Sequence, residues 1–223
     1  MAKELNIPFT QIRIGRFLFL LISILLMILF RPFLEGYVGI KILMDLFFSL
    51  ILLSGIYAVS KKKHIFLIAL ALAFPAFFIQ WSLYFVTFQS SFLMARIFAV
   101  LFYIFLIIVI LDFLFKETVI TPDMLIGAIC VYLLIGAMWA SIFTLLEGLH
   151  PGSFRIPESE ISDLSHFFYY SFVTLTTLGY GDITPITSGA RSFSIIEAII
   201  GQLYIAILVS RLVGVHIAQS YNK

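Results

Sequence analysis

Apolar residues in this chain come in long blocks, and polar residues collect in the short gaps between them. The blocks run over residues 17–30, 37–60, 64–88, 92–115, 124–146 and 192–214. Most approach or exceed the ~20 residues a helix needs to cross a bilayer core, so the pattern predicts six spans. The first is expected to stay uncleaved, because Arg31-Pro32-Phe33-Leu34-Glu35 follows where a signal peptide would offer small residues. Pro75 is expected to kink the third span, and Trp81 and Tyr84 near its far end suit an interfacial belt.

A seventh apolar stretch, LSHFFYYSFVTLTTL over 164–178, has only 15 residues and is too short to cross. It is expected to enter the membrane as a helix started by Ser162 and Asp163, and to turn back at Thr177-Leu178-Gly179-Tyr180-Gly181-Asp182. Non-helical backbone at membrane depth survives only where it is buried in protein or lines water. The Gly-Tyr-Gly turn must therefore face a pore. The expected fold class is an all-α membrane protein of six transmembrane helices, with a re-entrant pore helix and filter loop between spans five and six.

Composition agrees with this pattern. The chain has 223 residues, 62% of them hydrophobic and 12% charged, with a mean hydropathy of +1.11, which describes an integral membrane protein. A net charge of +2 gives no case for nucleic acid. The single cysteine, Cys130, excludes an intrachain disulfide and reads as a small packed hydrophobe. Lys61, Lys62 and Lys63 form the densest basic loop, and Lys3, Arg13, Arg16, Lys116, Arg211 and Lys223 fall on the same side by span count. The positive-inside rule then puts both termini in the cytoplasm.

The residue types of the turn suit a dehydrating cation. Such an ion needs a ring of oxygen ligands, and consecutive carbonyls can share one axis only if alternate residues take positive φ. Gly179 and Gly181 permit that at little cost. Thr177 adds its hydroxyl below the carbonyls, and Tyr180 turns outward, where its ring can brace the strand.

Thr-x-Gly-Tyr-Gly-Asp after an aromatic re-entrant helix resembles the tetrameric potassium channel family. The match continues through Pro185, Thr187, Gly189 and Arg191 to Gly201 in the following helix. Selectivity by stacked carbonyl rings is that family's own account and comes with the resemblance. The resemblance implies a homotetramer in membrane lipid, with K+ at Thr177, Leu178, Gly179 and Tyr180 and with Gly181 completing the filter. It implies filter support and an outer mouth at Tyr169, Tyr170 and Asp182, and an inner cavity and hinge at Gly201, Gln202, Ala206, Val209 and Val213. No cofactor is implied beyond the permeant K+. Leu178 stands where the family most often has Val. Tyr169 and Tyr170 stand where many members carry tryptophans and Val173 where some carry a carboxylate, which leaves Tyr170 to brace the mouth around Asp182.

Other polar residues carry weaker expectations. Glu158, Glu160, Asp163 and Asp182 put negative charge round the outer mouth, either as an ordinary solvated loop or as a concentrator of cations. Gln202, Ala206, Val209 and Val213 share one helical face, which suits a cavity wall or simple helix packing. Glu197, one turn before Gly201, is an intramembrane carboxylate suited to a hydrogen bond with the pore helix. The first four spans are placed like a voltage sensor, but the fourth holds one arginine, Arg96, with Asp112 near its inner end. Asp45 is expected to pair with Arg96, with Lys41 at similar depth. His64, His150, His166 and His216 are weak candidates for sensing pH.

The expected division is a cytoplasmic tail over 1–16, a four-helix sensor-like domain without arginine repeat over 17–116, a pore domain over 117–214 and a short cytoplasmic tail over 215–223. With so short a tail, gating by nucleotide, calcium or a redox cofactor would need a separate regulatory subunit, which nothing in the sequence indicates. The expected function is a potassium-selective channel in the plasma membrane that passes K+ passively and with little voltage dependence. The alternatives are a weakly voltage-gated potassium channel and a potassium transporter with a related pore loop. Such transporters carry several degenerate loops in a longer chain, whereas this sequence has one intact copy. Asp45, Arg96, Asp112 and Glu197 form no recognisable metal or nucleophile motif, so no enzyme is expected.

Overall fold

The computed structural model describes residues 15–34, 40–60, 62–85, 89–117, 119–157 and 166–221. Lys3, Arg13, Lys61, Glu158, Glu160, Ser162, Asp163, Leu164 and Lys223 lie outside the described residues, as do the side chains of Lys41 and His216.

The elements in order are α1 (Leu18–Leu34), α2 (Ile40–Val59), α3 (Lys63–Ser82), α4 (Gln89–Lys116), α5 (Pro122–Leu149), β1 (Phe154–Arg155), α6 (His166–Leu175), β2 (Thr184–Pro185) and α7 (Ser188–Tyr221). Five of the helices are long and apolar enough to cross a membrane, and the apolar part of α1, Leu18–Phe30, is shorter. The helices α1–α5 and α7 fall on the six expected apolar runs, five of them long enough to cross, with α6 as the short helix between the last two. The chain is therefore an all-α, multi-pass membrane protein.

Helices α1 to α4 pack each on its sequence neighbour, and α3 does so through Ala69, Ala73, Ala76 and Gln80, all buried. Small side chains at spacings of three and four let membrane helices approach closely. Helix α3 continues through the expected kink position, Pro75. Both carboxylate oxygens of the buried Asp45 are taken, by Gln80 Nε2 at 2.8 Å and by the Tyr84 hydroxyl at 2.6 Å, where the sequence suggested Arg96. The Arg96 guanidinium lies 5.3 Å from the Phe92 ring centre. Asp112 pairs with Lys116 one turn on, at the exposed end of α4.

Helix α4 packs on α5 of the same chain, the two helices being only a few residues apart in sequence. Thr121 starts α5 by accepting the Met124 amide at 3.2 Å, with Pro122 at the position where its missing N–H costs nothing. Asp123 then ties α5 to the start of α1, through Arg16 at 3.5 Å and the Phe17 amide. Cys130 is buried beneath Phe17, as expected of a packed hydrophobe. At the same level Arg211 on α7 donates to the carbonyls of Phe115 at 2.7 Å and Glu117 at 2.9 Å. The inner helix is thereby fastened to the end of α4.

Candidate functional site

Helix α6 and the strand that follows it are held at both ends before their own geometry begins. On one side Glu147, near the end of α5, accepts the amides of Gly152 and Phe154 and so shapes the turn into β1. β1 then pairs antiparallel with β2, Phe154 opposite Pro185 and Arg155 opposite Thr184. The Ser153 carbonyl accepts the Ile186 amide as well. The chain before α6 and the chain after the filter are thus one small unit.

Helix α6 is seated by aromatic packing. The ring of Tyr170 lies 5.1 Å from Phe143 and 5.3 Å from Phe154, and Phe154 lies 4.9 Å from Phe167, all edge to face. That is the favoured arrangement for aromatic quadrupoles. The Tyr170 hydroxyl meets Ser194 Oγ at 2.7 Å, and because Ser194 donates its proton to the Ala190 carbonyl, Tyr170 is the donor.

Asp182 is held differently from the expectation. Tyr169, not Tyr170, holds Asp182, donating to its Oδ2 at 2.6 Å, while Oδ1 accepts the Ile183 amide. Successive residues on a helix point ~100° apart, so of two adjacent tyrosines only one can face Asp182. Tyr169 also stacks on Tyr180, with ring planes 6° apart.

Helix α6 ends at Leu175, just before the turn expected from Thr177. The cause is the backbone: φ is +58° at Thr177, +60° at Gly179 and +81° at Gly181. The alternation required to line up carbonyls is therefore present, and it starts one step earlier than the glycines, at a β-branched residue. The Val173 carbonyl accepts both the Leu178 and the Gly179 amides and closes the turn. A Cβ at Gly179 or Gly181 would meet nothing within 4 Å in this chain, so it is the backbone angle that calls for glycine. Residues 176–182 are all exposed in the single chain.

Helix α7 meets the pore segment along the buried stripe Ala190, Ser194, Glu197 and Gly201. Glu197 is fully buried, and its Oε1 is hydrogen-bonded to Ser171 Oγ, which also lies 2.7 Å from the Gly136 carbonyl. One polar contact thus joins α5, α6 and α7. A Cβ on Gly201 would collide with the Leu175 carbonyl, so this glycine permits close approach, within a helix that runs unbroken from Ser188 to Tyr221. Beside it Gln202 Nε2 donates to Thr177 Oγ1 at 3.3 Å. Ala206, Val209 and Val213 follow on the exposed side of α7.

Ser171, Ser194, Glu147 and Arg211 were not singled out as partners from the sequence. The legible signal was a serine inside an aromatic helix at Ser171. Among the described residues no group of three or more His, Cys, Asp and Glu is placed to hold a metal ion.

Comparison with known proteins picks out this same region. A family model described as "Ion channel" matches residues 124–216. The chain is 41% identical over 64 residues to the two pore potassium channel c of Oryza sativa subsp. japonica, covering 29% of this chain and 14% of that one. It is 35% identical over 79 residues to the voltage-gated potassium channel Kch of Escherichia coli (strain K12), covering 35% and 17%. It is 33% identical over 90 residues to protein LctB of Geobacillus stearothermophilus, covering 40% and 62%. In each case less than two thirds of the relative is spanned. No solved structure matches the chain. The chain is thus similar over residues 124–216 to the ion channel family, and two of these relatives are described as potassium channels.

Proposed function

We propose that the chain is the subunit of a potassium-selective channel in which four identical copies each donate one filter strand to a central axis. The observation that carries this is the alternating positive φ at Thr177, Gly179 and Gly181 on a strand exposed over residues 176–182. The carbonyls of Thr177, Leu178, Gly179 and Tyr180 and the Thr177 hydroxyl are the proposed K+ ligands, replacing water around the ion. One strand cannot encircle an ion, so the site is incomplete without neighbours. Four α6 C-termini, each with about half a negative charge ~7 Å away, would add roughly 4 to 5 kcal/mol of attraction at an effective dielectric near 20.

Conduction is passive and depends little on voltage. Arg96 crossing the full field in four chains would yield at most ~9 kcal/mol at ~2.3 kcal/mol per charge per 100 mV, below what sensors with three or four charges per chain supply. The proposed location is the plasma membrane with both termini cytoplasmic. Purified protein in a planar bilayer, with potassium on one side and sodium on the other, tests the reading. A reversal potential near the potassium equilibrium value is expected, and one near zero sinks it.

A further inference from the structure

The polar contact that joins α5, α6 and α7 is short of one proton. Ser171 Oγ lies 2.7 Å from the Gly136 carbonyl and 2.5 Å from Glu197 Oε1, and a hydroxyl has a single proton for the two. The carbonyl can only accept. If Ser171 donates to it, the contact with Glu197 is a hydrogen bond only when the carboxyl group is the donor. With an ionised Glu197, one of the two contacts would set oxygen against oxygen with no proton between them. Burial argues the same way. Glu197 is fully buried within the single chain, and its Oε2 has no hydrogen-bond partner. The ion pairs found among the described residues, Arg16 with Asp123 and Lys116 with Asp112, do not involve it. An unpaired carboxylate at such a place is costly, whereas a neutral acid leaves only one uncharged carbonyl oxygen without a partner.

We propose that Glu197 is a positioning residue for the filter: a neutral carboxylic acid that donates to Ser171 and so holds α6 at a fixed height between α5 and α7. Its effect on selectivity rests on the four-chain channel reading, whereas the assignment of the proton does not. From Ser171 the path to the proposed ion ligands is short. Val173, two residues on, accepts the Leu178 and Gly179 amides. Leu175 ends α6 with its carbonyl against Gly201, one turn beyond Glu197. A slip or tilt of α6 therefore carries the filter backbone with it, and K+ selectivity depends on how the carbonyls of that backbone replace the water around the ion.

The test uses the reconstituted full chain, for infrared difference spectra in neutral buffer and for bilayer currents. The spectrum of wild type minus Glu197→Gln is expected to show the carbonyl stretch of a protonated carboxyl group. Glu197→Gln keeps a donor of the same shape and is expected to match the wild type in the permeability ratio of K+ to Na+. Ser171→Ala removes the link with little change in bulk and is expected to lower that ratio several-fold in protein that still assembles. Absence of the carboxyl band would overturn the neutral acid, and wild-type selectivity in Ser171→Ala would overturn the positioning role. A wild type that shows the band but is not potassium-selective would overturn the channel reading and leave the proton where it is assigned. Should Ser171→Ala fail to assemble, Glu197→Gln against Glu197→Leu decides, since only the amide retains a donor: equal selectivity of the two overturns the role.

Discussion

At Gly179 the backbone sits at φ +60° with open space where a Cβ would be. An alanine there fits sterically against its neighbours and fails only through its own backbone, at roughly 1–2 kcal/mol per chain. Gly179→Ala is accordingly expected to fold and assemble but to lose K+ current in bilayer recordings. The two adjacent tyrosines should separate in the same way. Tyr169→Phe removes the bond to Asp182 and is expected to speed loss of current during sustained opening, with assembly intact. Tyr170→Phe leaves Ser194 without its donor at a buried site and should cost about 1 kcal/mol of thermal stability with inactivation unchanged. At this scale the sequence was legible where residue type answers to backbone need, as at Gly179 and Gly181. It misled at Tyr169 and Tyr170, which are chemically identical and differ only in helical phase. Thr177 was hidden as well, because a β-branched residue is the last place to expect positive φ.

The elements were read more fully than their ends. Six apolar runs and one short one correspond to α1–α5, α7 and α6, since bilayer thickness sets their lengths. Ends differ most at α7, whose apolar run 192–214 lies inside a helix from Ser188 to Tyr221, while α6 ends at Leu175, close to the turn expected from Thr177. On α7 the buried stripe and the exposed stripe are both largely apolar, so periodicity alone could not say which one packs. The contacts at Glu197 and Gly201 assign it, and they leave Ala206 and Val209 facing out. A quaternary ammonium ion applied from the cytoplasmic side is therefore expected to block, and Ala206→Trp to reduce conduction at least several-fold. Block from the outside alone, with a conducting tryptophan variant, would put the vestibule on another face.

For the whole molecule, the arrangement of the four-helix domain was beyond the sequence. Whether α4 returns along its own α5 or reaches a neighbour depends on the few residues between them, which carry no pattern to read. The structure folds α4 onto its own α5 and fastens Arg211 to the end of α4. Asp45, held by Gln80 and Tyr84, sits in a fixed polar cluster. Open probability from −100 to +100 mV is thus expected to vary shallowly. Arg96→Gln should change yield of assembled protein more than the voltage slope. A steep curve flattened by that substitution would mark α4 as a voltage sensor.

The exposed filter strand also has a consequence for gene dosage. On the proposed four-chain reading, a chain that supplies a quarter of a ring can spoil the ring for the other three, so a defective copy is not simply diluted. When wild type and Gly179→Ala are made in equal amounts and mix at random, only about one four-chain assembly in sixteen is free of the defective strand. Co-expression should leave roughly that fraction of the current. A remainder near one half would mean that each chain conducts by itself.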